Sequence, residues 1–266
     1  MAREKERTGM GMNATELADD AVFSLAAADP DRTLCARFLP APCRPAAWCV
    51  LAFHNEVVRA LAPGRSGAVA GPMAGYIRLQ WWRDVLEGTR GPEHELAPRL
   101  LALVEQRRVA RQTLLRLVAS AEAELAHRDE PDPSIAQWRA MLRDGAGAVQ
   151  RAMGEILGVQ DNNILLRLEA CGMAYGAGAL LRHGAVLGRA GRFLFPGPVE
   201  DLRREGQRLL AELAGPGLAR SWRAAALPAV LARRDLARGG EHAGHPRGVG
   251  DRLAVMLAGM GLTRPF

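Results

Sequence analysis

Pro72-Met-Ala-Gly-Tyr-Ile-Arg-Leu-Gln-Trp-Trp-Arg-Asp-Val-Leu-Glu87 decides the fold class, because it sets two of the chain's five tryptophans side by side in a segment of helical period. Ile77, Trp81 and Val85 recur at i, i+4 and i+8, with Leu79, Trp82 and Leu86 widening the stripe, while Arg78, Arg83, Asp84 and Glu87 take the other side. Pro72 suits a first helical turn, Gly88-Thr89-Arg90-Gly91-Pro92 stops the helix, and Arg83 can reach Glu87 one turn on. A tryptophan pair is costly to leave in water, so the pattern predicts a mostly buried helix beside the apolar stretch Ala46–Ala62.

The same period runs through the rest of the chain. Helices are expected from Asn13, where Asn13-Ala-Thr-Glu16 reads as a capping box, to about Ala28, then through Leu39, and over Ala46–Ala62. Downstream they are expected over Glu93–Glu105 and Arg107–Arg128, then from a cap at Asp132-Pro133 to Leu157. Further helices run from a cap at Asp161 past Arg182, from Pro198, over Leu218–Arg238, and from Asp251 to Met260. Gly64–Gly71, Arg189–Pro198 and Gly239–Gly250 read as loops. No strand pattern appears, and aromatic content of 5% is low for a chain that must fill sheets. The 266 residues can bury one large core, so a flexible tail 1–12 and a single helical domain 13–266 are expected. Gly172, Gly176, Gly178 and Gly184 lie inside a helical pattern and follow no strand, so they mark close helix approach and not a dinucleotide loop.

Net charge is +6, and Lys5 is the only lysine, which excludes a Schiff-base lysine or a Walker-type phosphate loop in the body of the chain. The arginines admit an anionic partner, but no nucleic-acid motif or stacking platform accompanies them, so no nucleic acid is expected. Cys35, Cys43, Cys49 and Cys171 form no C-x-x-C pair and match no zinc module, which reads as reduced, buried thiols in the cytoplasm. The longest apolar runs, Ala46–Phe53 and Met173–Leu181, fall short of the roughly 20 residues a membrane span needs. The expected protein is therefore cytoplasmic, with at most peripheral contact at the inner membrane.

Three pieces in order, Asp29-Pro-Asp-Arg…Phe38-Leu-Pro40 leading to Ala52-Phe53, then Arg78-Leu-Gln-Trp-Trp-Arg83, then Gly191-Arg-Phe-Leu-Phe-Pro196, resemble the squalene/phytoene synthase family. The resemblance covers roughly Asp29 to Glu200. It implies an all-α, single-domain isoprenoid-synthase-like helical bundle with a central cavity, in which active members join two prenyl diphosphates head to head. Those members hold magnesium on two aspartate-rich stretches, hard oxygen ligands that neutralise the leaving diphosphate. Aligned on the same pieces, the first stretch falls on Val58, Arg59 and Ala62, with the family's diphosphate arginine at Asn55, and the second falls on His183 and Leu187. None of these is an aspartate. Phe53-His-Asn-Glu56 is similar to a divergent branch of the family that includes a mitochondrial complex I assembly factor and lacks the usual aspartates.

The resemblance thus implies a non-catalytic homologue with no cofactor, binding an apolar lipid or prenyl-type ligand or a partner protein, with a role in respiratory complex I assembly. The alternative is a prenyltransferase of isoprenoid biosynthesis, which would need magnesium. Ligand-binding candidates are Phe53, His54, Asn55, Glu56, Arg59, Trp81, Tyr175, Arg182 and Arg192. His54 and His183 could ligate or carry protons, but a lone histidine on an apolar helix reads first as a packed, hydrogen-bonded imidazole. A pocket inherited from the prenyl cavity is expected between Ala46–Ala62, Pro72–Glu87 and Ile164–Arg182, left open because Gly172, Gly176 and Gly178 cannot fill it.

Overall fold

Helix succeeds helix through the chain, and no strand occurs among the described residues. The computed structural model describes residues 18–62, 72–127, 134–190, 192, 195–213, 218–239 and 244–265. The helices are α1 (Asp19–Ala26), α2 (Pro30–Ala36), α3 (Arg44–Arg59), α4 (Pro72–Glu87), α5 (Ala97–Glu105) and α6 (Arg111–His127), followed by α7 (Ile135–Leu142), α8 (Ala148–Ile156), α9 (Asn162–Arg189), α10 (Val199–Ala211), α11 (Pro228–Arg238) and α12 (Val249–Gly259). A π turn, Arg143–Gly147, joins α7 to α8, so the two run on as the long helix expected there. The expected tail 1–12, the capping box at Asn13–Glu16, the loop 64–71 and the cap at Asp132-Pro133 lie outside the described residues.

Side-chain caps start several helices. The Asp29 carboxylate accepts from Arg32 N at 3.0 Å, and Asp161 accepts from Asn163 N at 2.8 Å, satisfying amides that a first turn leaves open. Ser134 and Gln137 form a reciprocal capping box, so the long helix begins at Ser134. Pro228 divides the helix expected over Leu218–Arg238, leaving a 3₁₀ segment at Arg220–Ala226 before α11. Arg107, at φ 56, ends the chain path of α5, and α6 starts four residues later than expected.

The 28-residue α9 is the shared wall of two apolar clusters. Leu168 and Cys171 close the larger one, with α1, α3, α4, α5, α6 and α8. Ala174, Tyr175 and Leu181 enter the smaller one, with α7, α10, α11 and α12. By length and composition alone α9 could cross a membrane, yet 56% of its apolar window is buried inside the protein, as a core helix requires.

The glycines of α9 carry a correction. They enclose no void: a Cβ on Gly172 would strike the Ala146 carbonyl of the π turn, one on Gly176 would meet Leu142 Cδ1 at 2.5 Å, and one on Gly178 would lie 3.2 Å from Asp235 Cβ on α11. Small residues here bring backbones together and do not leave space behind.

Helix α4 is rotated from its sequence reading. Leu79, Trp82, Val85 and Leu86 are buried, but Ile77 is 60% exposed and Trp81 only partly covered. The cause lies at Gly75, where a Cβ would meet the Ala60 carbonyl at 2.5 Å. That close approach, with Leu125 of α6 2.9 Å away, turns the 75–79–82–86 line inward onto α6 and the C-terminal end of α3, and leaves Ile77 and Trp81 on the flank.

Candidate functional site

The flank that this rotation exposes is one wall of a cleft of about 720 Å³. Helix α3 contributes Glu56 and Arg59, α4 contributes Ala74, Ile77, Arg78, Trp81 and Trp82, and the turn after α4 contributes Arg90, Glu93 and His94. Its floor is aromatic. Trp82 packs edge-on against Phe53 at 5.0 Å and against Trp81 at 4.8 Å, and His94 lies 4.9 Å from the Trp82 ring. Its rim is net cationic, with Arg59, Arg78 and Arg90 set against Glu56 and Glu93, and Arg90 lies 3.8 Å from Glu93. Arg90 stands 5.9 Å over the Trp81 ring, Arg78 is exposed, and Arg59 bonds the buried Glu56 at 2.6 Å. Glu56 also lies 4.0 Å from His94 Nε2. An apolar floor with guanidinium groups at its edge suits an amphiphile whose chain covers tryptophan and whose head carries negative charge.

The cleft departs from the pocket expected between α3, α4 and α9, because its third wall is Arg90–His94. Deeper in, between Arg32, Cys35, Leu51, Gln150 and Met153, the free space is about 10 Å³, room for about one water.

On the inner face of α3, His54 Nδ1 is buried without a hydrogen-bond partner among the described residues. Burial, with the charges of Arg32 and Arg192, holds this imidazole well below its usual value, so it stays neutral. The sign follows from proton binding. The unfolded imidazole takes a proton near pH ~6.5 while the folded one does not, so this contribution to stability is complete above that pH and falls by up to about 1.4 kcal/mol per unit below it. Urea unfolding of the wild type is expected to show this loss between about pH 7 and 5.5, and His54→Leu is expected to flatten it. Equal slopes in the two proteins would refute the assignment.

Asn55 is a tie to α1, its Nδ2 donating to the Leu25 and Ala26 carbonyls at 2.9 and 3.2 Å. Val58 is half-buried and Ala62 exposed. Arg192 meets the buried Glu124, with Nη2 donating to Oε2 at 2.7 Å, and its amide donates to Leu187 O at 3.0 Å.

Tyr175 and Arg182 belong to a third place. Arg247 grips both oxygens of buried Asp235 at 2.6 and 2.7 Å and donates through Nε to Asp31 at 2.8 Å. Arg182 lies 3.6 Å from the same Asp235 and donates to the His245 carbonyl, while Tyr175 Oη donates to Asp31 at 3.5 Å and stacks under Arg32 at 4.7 Å. Asp251 closes the network on Arg234 and Arg238. Burial alone would raise the Asp251 carboxyl, but those two guanidiniums hold it well below the carboxylate range. Burial alone would lower Arg247, and Asp235 and Asp31 override it to hold the charge. His183 is exposed at the edge, its pKa lowered by partial loss of water and by Arg182.

Of the sequence candidates, then, Glu56, Arg59 and Trp81 share the cleft with Phe53 beneath its floor. His54 and Arg192 are neighbours inside, Asn55 is structural, and Tyr175 and Arg182 serve the Asp235 network. Arg78, Trp82, Arg90 and His94 join the cleft from outside the sequence candidates, and the one signal for Arg90 and His94 is that they follow the tryptophan helix closely. Asp31, Asp235 and Asp251, isolated acids among arginines, and Arg247, one arginine among many, carry a weaker signal.

The donors do not suit a magnesium cluster at the positions the resemblance assigns. Val58, Ala62, His183 and Leu187 offer no carboxylate, and the nearby Glu124 and Asp31 are bound by arginine. No group of three or more His, Cys, Asp or Glu side chains that could hold a metal converges among the described residues. The buried thiols offer none either, since burial pushes Cys49 and Cys171 up to about 12 and Cys35 higher still.

A family model described as squalene/phytoene synthase matches residues 25–261. No curated protein matches the chain. A crystal structure of squalene synthase HpnC from Alicyclobacillus acidocaldarius superposes with a TM-score of 0.55 at 18% identity, covering 91% of this chain and 89% of that one. At that identity the likeness is one of fold, and the all-α isoprenoid-synthase architecture expected from the sequence is the one found.

Proposed function

Because the chain belongs to the squalene/phytoene synthase family, its departures from the family's chemistry are the premise, and we propose that it is a non-catalytic member that holds an apolar lipid with an anionic head in the cleft between α3 and α4. The observation that carries this reading is the pairing of a tryptophan floor with Arg59, Arg78 and Arg90 at one cleft, beside motif positions that offer no metal-binding carboxylate. A lipid-holding protein has no need of diphosphate ionisation, so the loss of aspartates at Val58, Ala62, His183 and Leu187 costs it nothing. The similarity of Phe53-His-Asn-Glu56 to the divergent branch supports respiratory complex I assembly as the setting, with a partner protein receiving or sensing the loaded form.

With farnesyl diphosphate and magnesium, diphosphate release is expected to stay at the level of a protein-free control. Release above that level would restore the prenyltransferase reading. A long-chain alkyl phosphate is expected to quench tryptophan fluorescence saturably, and Arg59→Glu is expected to weaken it by about tenfold through loss of one charge-assisted contact and gain of a repulsion. Unsaturable quenching, or quenching that Arg59→Glu leaves intact, would remove the cleft from the proposal.

A further inference from the structure

Helix α12 is built with its apolar weight on the wrong side for a core helix. Its buried line is Asp251, Val255 and Ala258, one acid and two small or medium apolar residues. Its outward line is Val249, Leu253, Met256 and Met260, at i, i+4, i+7 and i+11, exposed by 83, 49, 44 and 52%, and Leu262 just beyond is 68% exposed. The inward side is fixed by charge: Asp251 bonds Arg234 and Arg238 on α11, with Arg247 3.6 Å away. Gly259 meanwhile lies so close to the Phe38 ring that a Cβ there would collide with it. The helix is thus locked in an orientation that shows water its larger aliphatic side chains.

Charge says what the stripe faces. Among the described residues 244–265, Asp251 is the one acid and it is buried, while Arg252 and Arg264 are exposed with no ion pair found for either. Arg233 on α11 is exposed as well. The stripe is purely aliphatic and thioether, with no aromatic anchor and no polar group that would demand a fixed partner. Such a surface matches a fluid apolar medium behind an anionic layer.

We propose that the outward face of α12 is a docking surface for an anionic lipid bilayer, with Leu253, Met256 and Met260 entering the acyl boundary and Arg252 and Arg264 meeting headgroup phosphates. The surface is independent of the cleft between α3 and α4, so either can fail without the other.

The test is co-sedimentation of the full chain with vesicles of phosphatidylcholine, alone or mixed with phosphatidylglycerol. Binding to the mixed vesicles that weakens with added salt is expected, with little binding to the neutral ones. Leu253→Ser with Met256→Ser is expected to weaken it by about tenfold or more, and Arg252→Glu by about tenfold. Both changes fall on exposed side chains, and unaltered circular dichroism and thermal midpoint will confirm that the fold persists. Ile135→Ser, at an exposed site on α7 away from the stripe, is expected to bind as the wild type does. Failure to bind anionic vesicles, or binding indifferent to the double substitution, would overturn the proposal. So would sedimentation velocity showing a dimer that the double substitution dissociates, or an acidic protein surface captured by the stripe in place of lipid.

Discussion

Asp235→Ala is expected to destabilise the protein by about 3–5 kcal/mol, because it strands buried guanidinium charge. Asp235 is 3% exposed, receives both arms of Arg247, and lies beside Arg182, itself 4% exposed. Removing the acid leaves two positive groups facing each other where water cannot easily reach them. In a domain of this size that corresponds to a fall in Tm of about 6–20 °C. The intact pair is a weaker contributor than this loss suggests, since both partners gave up water to form it. Arg247→Met alone should therefore also be costly, as it frees Asp235 and Asp31. Combining it with Asp235→Ala should cost less than the sum, and urea unfolding of the four proteins measures the coupling. A single-variant loss under about 1 kcal/mol would show that water reaches the network.

Trp82→Ala is expected to cost a similar amount, about 3–5 kcal/mol, for a different reason. Trp82 is 1% exposed and touches Phe53, Trp81 and His94 edge-on or tilted, so truncation forfeits transfer energy and leaves a hole bounded by rigid rings. Trp82→Phe should recover much of the loss, because the smaller ring keeps its contact with Phe53. Equal denaturation midpoints for wild type and Trp82→Ala would refute the close packing of this ring on Phe53.

Local features were readable in the sequence. Asp161 and Pro72 mark helix starts that the structure keeps, and the tryptophan pair announces a helix against α3. What periodicity could not supply was rotation. A stripe containing both Ile77 and Leu79 is compatible with several orientations, and the choice is made by one contact, Gly75 against the Ala60 carbonyl, that no pattern on α4 encodes. Glu56, Arg59 and Trp81 were recoverable because α3 and α4 are neighbours in sequence and their polar flanks meet. The Asp235 network was not, since Arg247 and Asp31 stand 216 residues apart and only the approach of α2 to α11 in the fold makes them partners. The inward glycines misled for a related reason: absence of a side chain signals either a gap or a neighbour's backbone, and only the fold says which.

The π turn at Arg143–Gly147 sets a constraint on length as well as on shape. A π turn carries one residue more than an α turn spans, so removing any one of the five would yield a more regular helix. It would also swing everything after it by about 100° relative to α7. Arg151 would keep both Glu169 and Glu155, which travel with it, but Glu155 would leave Thr113 and Glu169 would leave Arg116, both on α6 before the turn. Gln150 would keep the Ala225 carbonyl, but Val149 and Met153 would rotate off the core they share with α3 and α6. The extra residue therefore works as an angular frameshift that is locally unfavourable and globally required. A chain with α7 and α8 of the same sequence but one residue fewer between Leu142 and Ala148 could satisfy the partners of one helix or the other, never both.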